Sequence, residues 1–165
     1  MTHRPMEAIG AECRDPERIC EMMERTRFFP DLPWTEIETL SAYFRAFTAG
    51  AEAVIFGEGD PGDFLCLVVD GVVEVVKEDH EGKLRVMALA DAGKTLGEMA
   101  LIDGEPRSAT ARVKEEAGLL LLSKVSHERM GRDHPRLALE FTTKIARLLS
   151  RRLRRASGML VDHLG

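Results

Sequence analysis

Between residues 51 and 123, short apolar runs alternate with glycine-rich turns, and helical periodicity flanks that region on both sides. These patterns predict an α+β fold whose centre is a β-sandwich of the jelly-roll type with about eight strands. Helices precede the sandwich and two helices follow it. At 165 residues, 44% hydrophobic and 31% charged, the chain can bury one sizeable core but not two. Three segments of one domain result: an N-terminal helical segment over 1–50, the sandwich over 51–123 and C-terminal helices over 124–165, the last acting as a lid or dimer helix.

The totals exclude several classes. A net charge of -5 and a pI near 5.6 argue against whole-chain attraction to nucleic acid. The three cysteines, Cys13, Cys20 and Cys66, read as reduced or buried thiols, because no second Cys/His pair stands at zinc spacing. The five histidines (His3, His80, His127, His134 and His163) are scattered and form no metal-binding pattern. No Ser/His/Asp or Cys/His set clusters, so no catalytic residue, metal or cofactor is expected. No apolar run reaches the roughly 18 residues of a membrane span, and no signal peptide opens the sequence. A cytoplasmic protein without a membrane partner is the expectation.

The elements follow in order. Met1 to Cys13 lack a period and read as a lead-in. Asp15-Pro16-Glu17 starts a helix, with an acid at the N-cap and proline at the first position. Ile19, Met22, Met23 and Phe28 give it an apolar stripe, and Phe28 to Pro33 ends it. Thr35 and Glu38 stand at capping-box spacing for a second helix, and Ile37, Leu40, Tyr43, Phe44 and Phe47 extend its core face. Ala53–Phe56 reads as a strand and Gly57 to Asp63 as a turn cluster. Phe64–Val69 and Val72–Lys77 read as strands joined by a hairpin turn at Asp70-Gly71. A turn at Asp79–Gly82 leads to the strand Leu84–Ala90. Gly93-Lys94-Thr95 lacks the earlier glycine of a nucleotide triphosphate loop.

The stretch 96–111 carries the chemistry. Glu98 can accept hydrogen bonds from a diol, and Arg107 can pair bidentately with a phosphate. Backbone N–H groups around Met99-Ala100 and Ser108-Ala109 could face the same anion. Gly97-Glu98-Met99-Ala100-Leu101 followed by Pro106-Arg107-Ser108-Ala109-Thr110 closely resembles the phosphate-binding cassette of cyclic nucleotide-binding domains. That family includes protein kinase A regulatory subunits, cyclic-nucleotide-gated channels and the catabolite activator type of regulator. Leu96 stands where the family usually has an aromatic. The resemblance covers Phe28 to Arg155 and implies a short helix within the cassette. It also implies that Glu98 bonds the ribose 2′-hydroxyl, that Arg107 bonds the cyclic phosphate, and that the amides of Ala100 and Ser108 bond phosphate oxygens. Gly97, Met99 and Ala109 complete the expected ligand-binding set. The resemblance implies cAMP as the ligand, because a small residue plus serine is common in bacterial cAMP binders of this family; cGMP is the alternative, because the Ser108 hydroxyl suits either. The alternative to this site is a surface salt bridge between Glu98 and Arg107.

Beyond the cassette, Ser108–Val113 and Gly118–Leu122 read as two strands, Ser126 as the cap of a short helix, and Asp133-His134-Pro135 as the start of a longer one. Leu137, Phe141, Ile145, Leu148 and Leu149 share a face of that helix, and Gly158 ends it. Its other faces carry Arg136, Lys144, Arg147, Arg151, Arg152, Arg154 and Arg155 against Glu140 alone. The function expected is a stand-alone cyclic nucleotide sensor that shifts its C-terminal helix and signals to an effector protein, with a homodimer through that helix. No helix-turn-helix is expected after the helix. The rival readings are an interaction scaffold that has lost its ligand and a regulator that binds DNA through the basic helix.

Overall fold

The computed structural model describes residues 9–164, with side chains through residue 161. The start of the lead-in, His3 included, and the side chain of His163 lie outside the described residues. The chain divides into two compact units, 1–127 and 128–165.

The first unit contains β1 (Ala11–Cys13), α1 (Pro16–Arg25), α2 (Trp34–Ser41), β2 (Phe44–Ala49), β3 (Val54–Phe56), β4 (Phe64–Glu78), β5 (Leu84–Ala90), β6 (Thr95–Leu96), α3 (Glu98–Asp103) and β7 (Thr110–Ser123). All strand pairs are antiparallel, in the order β1-β2-β7-β4-β5, with β3 also on β7 and β6 also on β4. Helices flank this jelly-roll sheet as the sequence predicts. Phe47, Ile55, Phe56, Phe64, Cys66, Val68, Val113, Leu119 and Leu121 form its core. Leu65, Leu67, Leu120 and Leu122, on the opposite side of the same strands, are also buried. Covering on both faces is why these segments read as continuous apolar runs rather than alternating ones. Each such side chain contributes about 1.5–3 kcal/mol on burial.

The start of α1 follows the sequence reading: Asp15 is the N-cap, its carboxylate accepts from the Glu17 N–H at 3.2 Å, and Pro16 is the first helical residue. Other expectations change. Residues 11–13 of the lead-in form β1 on β2. Helix α2 begins at Trp34 after Pro33, so Thr35 lies inside it rather than capping it, and no side-chain cap bond forms. Tyr43, Phe44 and Phe47 are buried as expected, but Phe44 and Phe47 belong to strand β2. The helical period therefore ends at Ser41 and the 1–50 segment is only partly helical. Pairing of Phe44–Ala49 with residues 117–122 of β7 overrides the local pattern.

The Asp70-Gly71 hairpin does not form. β4 runs unbroken through it for 15 residues, and β7 likewise runs as one strand of 14. The two pair along both halves, with register shifts from Val68 to Val73. The Asp70 carboxylate accepts from the buried Gly118 N–H at 2.8 Å and from Arg25 at 2.8 Å. Gly71 alone takes the left-handed conformation, at φ +78°, whereas a two-residue type I′ turn needs positive φ at both residues. The pair forms a bulge, which bends two long strands around the sandwich.

Helix α4 (Lys124–Asp133) opens with the Ser123 hydroxyl accepting from the Ser126 N–H at 3.0 Å, so Ser123 rather than Ser126 does the capping. Helix α5 (Pro135–Leu164) is 30 residues long. Leu137, Phe141 and Ile145 are buried, Leu148 and Leu149 half-buried. Gly158 lies within α5 without a positive φ, so it does not end the helix.

Candidate functional site

The site is built by three segments of the first unit. The turn after β3 comes first. Gly57 N–H donates to the Asp60 carboxylate at 2.7 Å, closing a tight loop. That loop hooks the cassette backbone: Gly59 N–H donates to the Arg107 carbonyl at 2.8 Å, and Arg107 N–H donates to the Asp60 carbonyl at 2.9 Å. A Cβ on Gly62 would lie 2.7 Å from the Glu105 carbonyl oxygen, so only glycine lets the turn approach this closely. The glycine cluster is therefore a scaffold for the cassette.

The second segment is the short helix α3. Gly97 at φ +74° and Gly104 at φ +75° bound it, and the Gly104 N–H donates to the Ala100 carbonyl at 2.9 Å. Its six residues give it one buried and one exposed side. Glu98, Ala100 and Leu101 are buried, whereas Met99 and Ile102 are about half exposed. Met99 thus contributes only backbone to the site's interior.

The third segment carries Arg107, 4% exposed. Its Nη1 donates to the Gly97 carbonyl at 3.0 Å and its Nη2 to the Phe64 carbonyl at 2.6 Å. The guanidinium carbon lies 4.1 Å from the Phe56 ring centre and 4.7 Å from that of Phe64, and the two rings meet edge to face. Nε is buried with no hydrogen-bond partner. Burial pushes the Arg107 pKa down, against the attraction of Asp63, Cys66 and Asp60. Burial likewise pushes the neighbouring Cys66 thiol up to about 12, leaving it neutral.

Among the described residues Arg107 makes no ion pair, with Glu98 or any other carboxylate. The surface salt bridge weighed from sequence is therefore absent, and both side chains are buried. An arginine removed from water, held by carbonyl oxygens and ring faces and attracted by Asp63 and Asp60 without a direct ion pair, keeps an unsatisfied demand for an anion. Such a group is poised to take a bidentate oxyanion.

Of the expected ligand-binding residues, the fold brings Gly97 directly against Arg107 and buries Glu98 and Ala100 beside it in sequence. Ser108 is exposed and Ala109 half-buried where the chain enters β7. Sequence reasoning missed Phe56 and Phe64, the two rings that pack against the guanidinium. Their signal was present: they are the residues that immediately flank the Gly57–Asp63 turn. Among the described residues no group of three or more His, Cys, Asp or Glu could hold a metal ion. No helix there is long and apolar enough to cross a membrane.

Residues 45–134 match the model of the cyclic nucleotide-binding domain family. The chain belongs to this family. Among its relatives is the cyclic AMP receptor protein of Thermus thermophilus, 34% identical over 81% of this chain and 60% of the relative. A cyclic nucleotide-gated potassium channel of Rhizobium etli is 40% identical over 53% of this chain and 23% of its own length. Among solved structures, a cyclic nucleotide-binding domain from Methylobacillus flagellatus superposes with a TM-score of 0.80 at 27% identity, covering 90% of this chain and 85% of the other. The chain spans about three-fifths of the length of the first curated relatives.

Proposed function

We propose that this cyclic nucleotide-binding domain is a regulatory sensor whose ligand is cAMP, with cGMP as the alternative. The observation that carries the reading is Arg107: a buried guanidinium, packed against two aromatic rings, with no ion pair to a carboxylate among the described residues. In this reading the cyclic phosphate pairs with Arg107 and with the amides of Ala100 and Ser108. Gly97, Met99 and Ala109 supply the surrounding backbone. Glu98, buried one residue after Gly97, accepts a hydrogen bond from the ribose hydroxyl. The choice of cAMP is supported by the likeness to the cyclic AMP receptor protein of Thermus thermophilus.

The reading is regulatory rather than catalytic. The thiol beside Arg107 is held neutral, and a neutral thiol is a poor nucleophile. The output is a displacement of α5, driven only by the difference in ligand affinity between two conformations. Leu139, Thr142, Ala146, Leu149, Leu153, Ala156 and Leu160 recur along α5 at alternating steps of three and four, the spacing of a coiled-coil seam. Leu139, Leu153 and Leu160 on it are each more than 60% exposed. This seam supports a homodimer through α5. The exposed Arg147, Arg151, Arg154 and Arg155 lie off it and suit an acidic effector protein.

The test is calorimetric titration with cAMP and cGMP in parallel, with Arg107→Ala as control. Binding lost in the variant supports the sensor, and the ratio of affinities names the signal. No heat and no thermal shift with either nucleotide, on nucleotide-free protein, refutes it.

A further inference from the structure

We infer that Lys77 is a positioning residue for the phosphate site: together with the glycine turn it holds the backbone at Ser108 and thereby aims the amide donors of the cassette. The inference rests on the nucleotide reading and deepens it.

The argument starts from two carbonyls. The Arg107 carbonyl accepts from the Gly59 N–H at 2.8 Å, and the Ser108 carbonyl accepts from the Lys77 ammonium at 2.9 Å. A trans peptide unit is planar, and its N–H points opposite its C=O. Holding the Arg107 carbonyl therefore aims the Ser108 N–H, and holding the Ser108 carbonyl aims the Ala109 N–H. With both flanking planes fixed, Ser108 has no free backbone dihedral left, and its amide keeps one direction. A preset donor loses less entropy when an anion arrives. The ammonium also draws electron density through the Ser108 carbonyl, which strengthens the Ala109 N–H as a donor.

Local structure does not provide this hold. Ser108 and Ala109 form a bend before β7 begins at Thr110, so no ladder bond reaches the Ser108 carbonyl. Lys77 reaches it from β4, whose Val76 pairs with Thr110. The ammonium is itself steadied 3.3 Å from the Glu58 carboxylate, and the Glu58 N–H donates to the Thr110 hydroxyl at 2.9 Å. Lys77, Glu58 and Thr110 thus brace the cassette's second leg together with Gly59 and Asp60. The Lys77 side chain is 47% exposed, so its loss leaves the core untouched.

The experiment compares the full chain, Lys77→Met and Lys77→Arg by cAMP titration, thermal melting and amide proton–nitrogen correlation spectra. Lys77→Met is expected to bind cAMP about five- to twentyfold more weakly, with a melting point within about 2 °C of the parent. Its spectral changes should centre on Ser108 and Ala109. Lys77→Arg, which keeps the charged donor, should recover affinity to within about twofold. Parent-like cAMP affinity in Lys77→Met overturns the inference alone. So does a loss that Lys77→Arg does not recover and that follows a large fall in melting point, because that is a merely structural role. A parent chain that binds neither nucleotide overturns the sensor reading, and this inference with it.

Discussion

Removing the Arg107 side chain separates a structural arginine from one kept for a ligand. Arg107→Ala leaves the buried carbonyls of Gly97 and Phe64 without a donor, at about 1–3 kcal/mol each. Against that cost, the guanidinium is itself disfavoured where it sits, as its lowered pKa indicates, because burial strips its water and the attraction of Asp63 and Asp60 offsets only part of that loss. Its removal returns part of the penalty. The ligand-free protein should therefore lose about 2 kcal/mol, or about 4–8 °C in melting point for a chain of this size. Binding should suffer more. A charge-assisted bidentate phosphate pair in a closed pocket is worth about 2–5 kcal/mol, or about thirty- to several-thousand-fold in cAMP affinity. Arg107→Lys should fall between, since an ammonium keeps the charge but loses the fork and part of the contact with the Phe56 and Phe64 rings. Calorimetry gives the affinity and a thermal melt without nucleotide gives the stability. Nucleotide binding within about threefold of the parent would refute the reasoning, as would a collapse of the ligand-free fold that exceeds the loss of binding.

Three further outcomes follow from the same geometry. Gly97→Ala would place a Cβ 3.1 Å from the Arg107 guanidinium carbon and 3.2 Å from the Phe56 ring, at a backbone φ of +74°. Titration should show cAMP affinity reduced at least about tenfold, and unchanged affinity would show that the guanidinium need not sit there. Glu12 is held at about 2, below its ordinary 4.5, by hydrogen bonds first from Arg45 and then from Arg14. Its depressed pKa means the stabilisation is complete above the unfolded value and fades as pH falls from there toward about 2. Urea unfolding should show Glu12→Gln about 1 kcal/mol less stable at pH 7 after solvent screening, with the gap closing in acid; a gap constant with pH would contradict this. Leu153→Glu places a charge on the α5 seam and should convert a dimer to a monomer in sedimentation, whereas a parent chain already monomeric at high concentration would remove the seam's role.

The central strands were legible because segments covered on both faces write their burial as unbroken apolar runs, as at Phe64–Val69. Glycines and acids marked the turns, and Asp15-Pro16 marked the start of α1, because capping and φ restriction act within a few residues. Boundaries set by distant partners were not legible. Phe44 and Phe47 continue a helical spacing, yet β7 draws them into a strand. Asp70-Gly71 has the composition of a turn, yet the Gly118 amide and Arg25 convert it into a bulge. The cassette was readable as a motif because its glycines, acid and arginine stand in order along one stretch.

The sequence by itself determined the family, the jelly-roll class and the residues able to meet an anion, since all of these depend on residue type and local spacing. The tertiary structure decided the state of those residues. Burial of Arg107 against Phe56 and Phe64, its reliance on carbonyls from Gly97 and Phe64, and the bonds of Gly59 to the Arg107 carbonyl and of Lys77 to the Ser108 carbonyl all join segments far apart in the chain. Desolvation and hydrogen-bond direction belong to an assembled environment, and no local pattern encodes them.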